Sequence, residues 1–267
     1  MMFKNKIGII CQARLSSSRL PGKVLYDLGG ENAIGLIYKR YSRMLDENYK
    51  FIIATSNLAE DQAIINFCEE QKINYYAGSL DNVLERYYYC AKKNNLEFII
   101  RITADCPFLD FKLIPNMVKI FKDSNIDYIS NSHNKTGHVP DGFDIEIFKM
   151  NALSKAMQLK DLLPSDKEHV TFPFINRENF SKKYIRDTPQ KYENLRVTLD
   201  EPNDFKLIRK IIKLIGYEDI INYSIYDICD LILNYNLYEI NSNMKKNSGW
   251  ESSFKKDNIY LKTKKFK

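Results

Sequence analysis

The feature that most constrains the fold of this chain is an alternation through its first half. Lys6–Cys11, Phe51–Thr55, Glu97–Thr103 and Asp127–Ser130 are short apolar runs bounded by turn signals. Between them lie Ala33–Leu45, Asp61–Gln71, Leu84–Lys93 (just after Tyr75–Tyr76) and Phe111–Lys122, all with helical periodicity. Short strands alternating with longer helices build βαβ units. The expected fold is therefore α/β, a mainly parallel central sheet flanked by helices. From about Asn134 the alternation gives way to Asp141–Phe148, Glu168–Phe174 and Leu195–Phe205, which read as extra strands and loops laid against the sheet. Helices over about Asn203–Ile215 and Ile225–Tyr235 close the body.

In such a sheet ligands sit at the carboxyl ends of the strands, so the residues just beyond each apolar run carry the information. The first run leads straight into QARLSSSRLPGKVL, Gln12–Leu25, with three cations and three serines. Backbone N–H groups and cations grouped after a buried strand are how several folds hold phosphates. Two familiar loops are excluded. A Walker loop needs glycine at Ser17 and a hydroxyl residue at Val24, and the spacing of Gly29, Gly30 and Gly35 is wrong for a dinucleotide fingerprint.

Charge and cysteine usage exclude other classes. The net charge of +6 lies entirely in Asn241–Lys267, where eight lysines face Glu251 and Asp257. The body is neutral, so no folded basic face for nucleic acid is expected. The domain is expected to span 1–240, with 241–267 a basic C-terminal tail, solvated and partly disordered. Cys11, Cys68, Cys90, Cys106 and Cys229 are odd in number and scattered, which fits reduced thiols. His133, His138 and His169 are too few for a histidine-rich metal site, so any metal is expected on carboxylates. No run is long enough for a membrane span and no secretory pattern opens the chain, so a cytoplasmic setting is expected.

The Gln12–Leu25 loop closely resembles the N-terminal signature of the cytidylyltransferases that include spore coat polysaccharide biosynthesis protein F. It is more distantly similar to CMP-Kdo and CMP-sialic acid synthetases. Ala54–Ile64, Gly78–Tyr87, Arg101–Asp110, Pro140–Phe148, Glu168–Thr171 and Arg196–Phe205 follow in the family's order. Two positions depart from it: Asn82 stands where aspartate is usual. Lys167 precedes EHVT, where arginine is usual, and Phe172 follows it, ahead of the usual proline. The resemblance implies a Rossmann-like nucleotidyltransferase fold. It also implies attack of an acceptor oxygen on the α-phosphorus of CTP, release of pyrophosphate, Mg²⁺ as cofactor, and possible homodimers.

On that basis Arg14, Arg19 and Lys23 are expected to hold the β- and γ-phosphates, with Arg14, Lys23 and Asp105 as the catalytic set. Gln12, Ala13, Ser16, Ser17, Ser18 and Thr103 complete the nucleotide contacts. Asp105 and Asp200 are the candidate metal ligands; the alternative reading makes Asp105 a turn residue before Pro107 and Asp200 an N-cap for the next helix. Ser79, Asp81 and Arg86 are candidates for the base, against a reading in which Asp81 caps a helix and Arg86 lies on its solvent face. Arg101, on a strand, needs a phosphate, a base or an internal carboxylate as partner. Asp144, Glu146, Glu168 and His169 are candidates for the acceptor, a sugar acid, sugar phosphate or phosphonate, or for a second metal. For Asp144 and Glu146 a polar outer strand face is the alternative. Cys106 reads as a structural thiol. A glycosyltransferase using a nucleotide-sugar donor, or a non-catalytic nucleotide binder, are the competing functions.

Overall fold

The structure, a computed structural model, describes residues 6–132, 139–185, 188–244 and 248–265. His133 and His138 lie outside them. Strands β1 (Ile7–Gln12), β2 (Tyr49–Ser56), β3 (Tyr75–Gly78) and β4 (Phe98–Thr103) alternate with helices α1 (Ala33–Met44), α2 (Gln62–Glu70) and α3 (Val83–Lys93). Helix α4 (Ile114–Ser124) then leads to β5 (Tyr128–Ser130) and β6 (Glu146–Lys149). Next come α5 (Met150–Met157), α6 (Pro164–His169), α7 (Phe172–Asn176) and β7 (Lys182–Tyr184). Helices α8 (Pro202–Ile215), α9 (Tyr217–Ile220), α10 (Ile225–Asn234) and α11 (Ser248–Lys265) finish the described chain.

The seven strands form one sheet in the order β3-β2-β1-β4-β6-β5-β7. Strands β1 to β4 are parallel, and β6 runs antiparallel between β4 and β5. The expected α/β sheet with added strands is what forms. The chain winds outward from β1 to β3 and then returns to place β4 on the other side of β1. This reversal opens a crevice at the carboxyl ends of β1 and β4, where Gln12 pairs with Thr103. One sheet face buries Ile9, Cys11 and Ile53 under α1, α2 and α4; the other buries Ile10, Ile52 and Ala54 under α3, α5 and α7.

Four segments depart from expectation. Glu168–Phe174 is not a strand; it spans the junction of α6 and α7. Pro164 and Pro173 sit at the first helical turns, where a missing N–H costs nothing. Of Asp141–Phe148 only Glu146–Phe148 joins the sheet, and Leu195–Phe205 contributes a single bridge, Asp141 with Arg196. The tail is not simply solvated: Ser248–Lys265 is helical and packs on α6, with Ser253 and Asp257 buried.

Candidate active site

The Gln12–Leu25 loop is anchored by a residue of the Ala54–Ile64 stretch whose role no sequence pattern shows. Asp61, 1 % exposed, accepts from the Leu15 N–H at 2.7 Å and the Ser56 N–H at 3.3 Å. It ties the loop to the end of β2. Gly22 closes the loop by donating to the Leu15 carbonyl at 2.9 Å, with φ of +74°, a conformation open to glycine. This turn sends Lys23 back over the crevice.

Lys23 is 7 % exposed, and its ammonium lies 3.0 Å from Asp105 Oδ2 and 2.5 Å from Asp200 Oδ1. Burial opposes its charge, but the two carboxylates outweigh burial and raise its pKa. Burial also pushes the Asp105 carboxyl up, yet Lys23 and the Thr103 hydroxyl hold it at about 2. Arg19 lies 2.5 Å from Asp200 Oδ2 and 3.2 Å from Glu201. The structure thus brings Arg19, Lys23, Asp105 and Asp200 together from sites far apart in the chain.

Asp200 is held in place by residues that had no predicted role. Asp204, fully buried, caps α8 by accepting from the Asp200 and Glu201 N–H groups at 3.1 and 2.9 Å. The cap is therefore Asp204 with Glu201, which leaves the Asp200 side chain aimed at the cations. Arg196 reaches Asp204 at 2.9 Å, Asp141 at 2.5 Å and Asp200 at 3.5 Å. The Leu199 N–H donates to the Asp105 carbonyl at 2.7 Å, joining the two metal candidates through backbone. Arg196 and Asp141 both stand in motifs quoted from the sequence, but only the fold shows them meeting.

A second polar group lies on the α3 and α6 side. Arg101 donates to Glu146, whose other oxygen accepts from the Tyr128 hydroxyl at 2.5 Å. An internal carboxylate is thus the partner of the strand arginine, and Glu146 is 7 % exposed rather than on an outer face. Burial and then Arg101 push the His169 imidazole down to about 4. Burial raises the Asp144 carboxyl despite a bond from Ser132, and Glu146 adds to the rise. Asp141 is pushed up to about 7 by burial and then Asp144, against the pull of Arg196.

The base candidates divide. Asn82, not Asp81, caps α3, accepting from the Glu85 N–H at 3.1 Å, and Ser79 accepts from the Asn82 N–H at 3.0 Å. Asp81 is exposed. Arg86 is buried at 2 % against Gly78, not on a solvent face, and donates to the Ser79 carbonyl at 3.2 Å. Gln12 ends β1 on this same sheet face, and the Ala13 N–H donates to the Ala54 carbonyl at 3.0 Å. Arg14, Ser16 and Ser18 are exposed along the loop and Ser17 is half-buried. Cys106 is buried with its thiol pKa raised, consistent with a structural role.

The family model for cytidylyltransferases matches residues 8–230. This chain belongs to the cytidylyltransferase family. A protein of uncharacterised function from Methanocaldococcus jannaschii is 35% identical over 91% of this chain and 96% of its own length. The spore coat polysaccharide biosynthesis protein SpsF of Bacillus subtilis is 28% identical over 79% of this chain and 88% of its own. A cytidylyltransferase structure from Leptospira borgpetersenii superposes with a TM-score of 0.79, at 26% identity, over 90% of this chain and 98% of that one. A CMP:2-keto-3-deoxy-manno-octonic acid synthetase solved with CTP shares the fold at a TM-score of 0.56 and 16% identity, over 78% and 99% of the two chains. The cytidylyltransferase is thus a nucleotidyltransferase enzyme, and none of its described helices is long and apolar enough to cross a membrane.

The two carboxylates suit a hard divalent cation. Asp105 and Asp200 already converge on one point of positive charge, the Lys23 ammonium, which stands in for a cation there. No group of three or more potential ligands occurs among the described residues. An ion at this point would take two protein carboxylates and complete its shell with phosphate and water, as Mg²⁺ commonly does.

Proposed function

We propose that this cytidylyltransferase transfers CMP from CTP to a sugar acid or similar small acceptor for surface-glycan synthesis, releasing pyrophosphate. The observation that carries the reading is the convergence of Lys23, Arg19, Asp105 and Asp200 at the carboxyl ends of β1 and β4. The CTP bound by the octonic acid synthetase relative, and the glycan role in the name of the SpsF relative, support the choice of nucleotide and pathway.

In this reading the loop receives the triphosphate. Arg14, Arg19 and Lys23 neutralise the β- and γ-phosphates, so the leaving pyrophosphate departs into cations and not into water. Ser16, Ser17 and Ser18 add hydroxyl and backbone donors, and Asp61 keeps the loop rigid while they act. Asp105 and Asp200 would hold Mg²⁺, which when bound would supply charge neutralisation to the phosphates. Arg196 and Asp204 keep Asp200 turned inward. Gln12, Ser79, Asp81, Arg86 and Thr103 line the nucleoside side. The acceptor stands against Asp144, Glu146, Glu168 and His169, with Arg101 between nucleotide and acceptor.

The test is pyrophosphate release from each nucleoside triphosphate with Mg²⁺, against 3-deoxy-manno-octulosonate, nonulosonic acids, sugar phosphates and phosphonates. Release that requires CTP and one acceptor is expected. Asp105→Ala is expected to lower kcat by about 10²–10³-fold, the usual scale for losing one preorganised electrostatic group. Binding of CTP without release under any acceptor would instead favour a non-catalytic nucleotide binder.

A further inference from the structure

The basic C-terminal segment docks on the part of the fold assigned above to the acceptor. Helix α11 packs against α6 and holds it at both ends. At the start of α6, the buried Asp257 carboxylate accepts from the Ser165 N–H at 2.9 Å. At its end, the Ser253 hydroxyl lies 2.8 Å from His169 Nε2 and donates to Glu168 Oε2 at 3.1 Å. Lys256 reaches the same Glu168 oxygen at 2.9 Å. Phe172 stacks between the His169 and Phe254 rings, with centroids at 4.5 and 5.8 Å.

The clamped backbone is strained. Val170, directly after His169, has φ of +56°, and a β-branched residue adopts such a conformation only where its surroundings force it. The corner that α11 grips also lies near the Arg101–Glu146 pair, whose charges both act on the His169 imidazole. A six-residue helix ending in a strained residue does not fix two side chains unaided. A second helix holding both of its ends does.

We propose that α11 is a positioning element for the acceptor, with Ser253 and Asp257 the residues that hold the Glu168–His169 wall in its working orientation. The proposal rests on the acceptor wall described above. It predicts a division of labour: α11 governs the acceptor and leaves the nucleotide loop alone, because its described side-chain contacts lie on α6 and the α6–α7 junction.

The experiment compares full-length wild type, Ser253→Ala combined with Asp257→Asn, and Ser253→Thr, which keeps the hydroxyl. Pyrophosphate release is followed while CTP and the active acid (3-deoxy-manno-octulosonate first) are varied in turn. MgCTP binding is measured by calorimetry and His169 titration by NMR. The double variant is expected to raise KM for the acceptor about tenfold or more, with KM and Kd for CTP within about twofold and Ser253→Thr close to wild type; a tenfold loss is about 1.4 kcal/mol of positioning. As the docked face opens, His169 moves up from about 4 toward the ordinary ~6.5 of a hydrated imidazole. Equal losses for CTP and acceptor, or an unmoved acceptor KM and His169 titration, overturn the proposal alone. Wild type that binds MgCTP yet releases no pyrophosphate with any acid removes the function proposed above, and acceptor positioning with it.

Discussion

Lys23 serves two charges. In the structure its ammonium neutralises Asp105 and Asp200; in the proposed reaction it must neutralise phosphate while a divalent ion takes the carboxylates. Cation and nucleotide are then expected to enter together, because each frees the partner the other needs. Removing the ammonium should uncouple them. Lys23→Met is expected to bind Mn²⁺ without nucleotide about tenfold more tightly than wild type, since a charge at bonding distance is worth one or more pKa-scale steps. Electron paramagnetic resonance of free Mn²⁺ reads this directly. Wild type that binds Mn²⁺ alone as tightly as the variant would contradict it.

The connecting segments, more than the strands, decide how the site is built. Gly142 shows why. Its φ is +112°, and a Cβ there would stand 2.7 Å from the Thr198 N–H nitrogen and 2.8 Å from the Val197 carbonyl carbon, both backbone. The close approach lets Asp141 exchange backbone bonds with the 195–197 segment, which brings Arg196 to Asp141. Gly142→Ala is expected to cost at least ~1–3 kcal/mol from backbone strain alone, with more from the clash. It should weaken MgCTP binding as Arg196 loses its hold on Asp200. Urea unfolding and calorimetry on the same sample check both; an unchanged midpoint would refute the close-packing account.

Across the whole molecule, one buried cation joins parts that are distant in sequence. Arg40 on α1 is fully buried and donates to the carbonyls of Phe108, Leu109, Ile220, Ile221 and Tyr223. Burial pulls its pKa down to about 10, so it stays charged at neutral pH. It staples the segment after β4, which carries the Asp105 loop, to the end of α9. Arg40→Leu removes the guanidinium donor from those carbonyls, of which Ile220 keeps the Tyr223 N–H at 3.3 Å, and is expected to destabilise the fold by ~3–5 kcal/mol, the summed scale of several buried acceptors losing a partner. A urea midpoint within error of wild type would show that solvent or repacking satisfies them.

The sequence by itself determined the α/β class and the family, and it placed the candidate site after the strand ends. Each is written in local order: apolar runs with period two or 3.6, and motifs contiguous along the chain. It also marked Arg19, Lys23, Asp105 and Asp200, which the fold brings within bonding distance. It did not show Asp61, Asp141, Arg196 or Asp204 at work, because an ion pair across 55 residues leaves no periodicity. It misplaced the α3 cap by one residue, since Asp81 and Asn82 are both good caps and only the backbone entering the helix chooses between them. It read the lysine-rich end as a solvated tail because composition records charge and not docking. What the tertiary structure alone decided is that Asp257 and Ser253, polar residues in a basic stretch, are buried against α6. Burial of a polar group depends on the partner that meets it, and that partner comes from elsewhere in the chain.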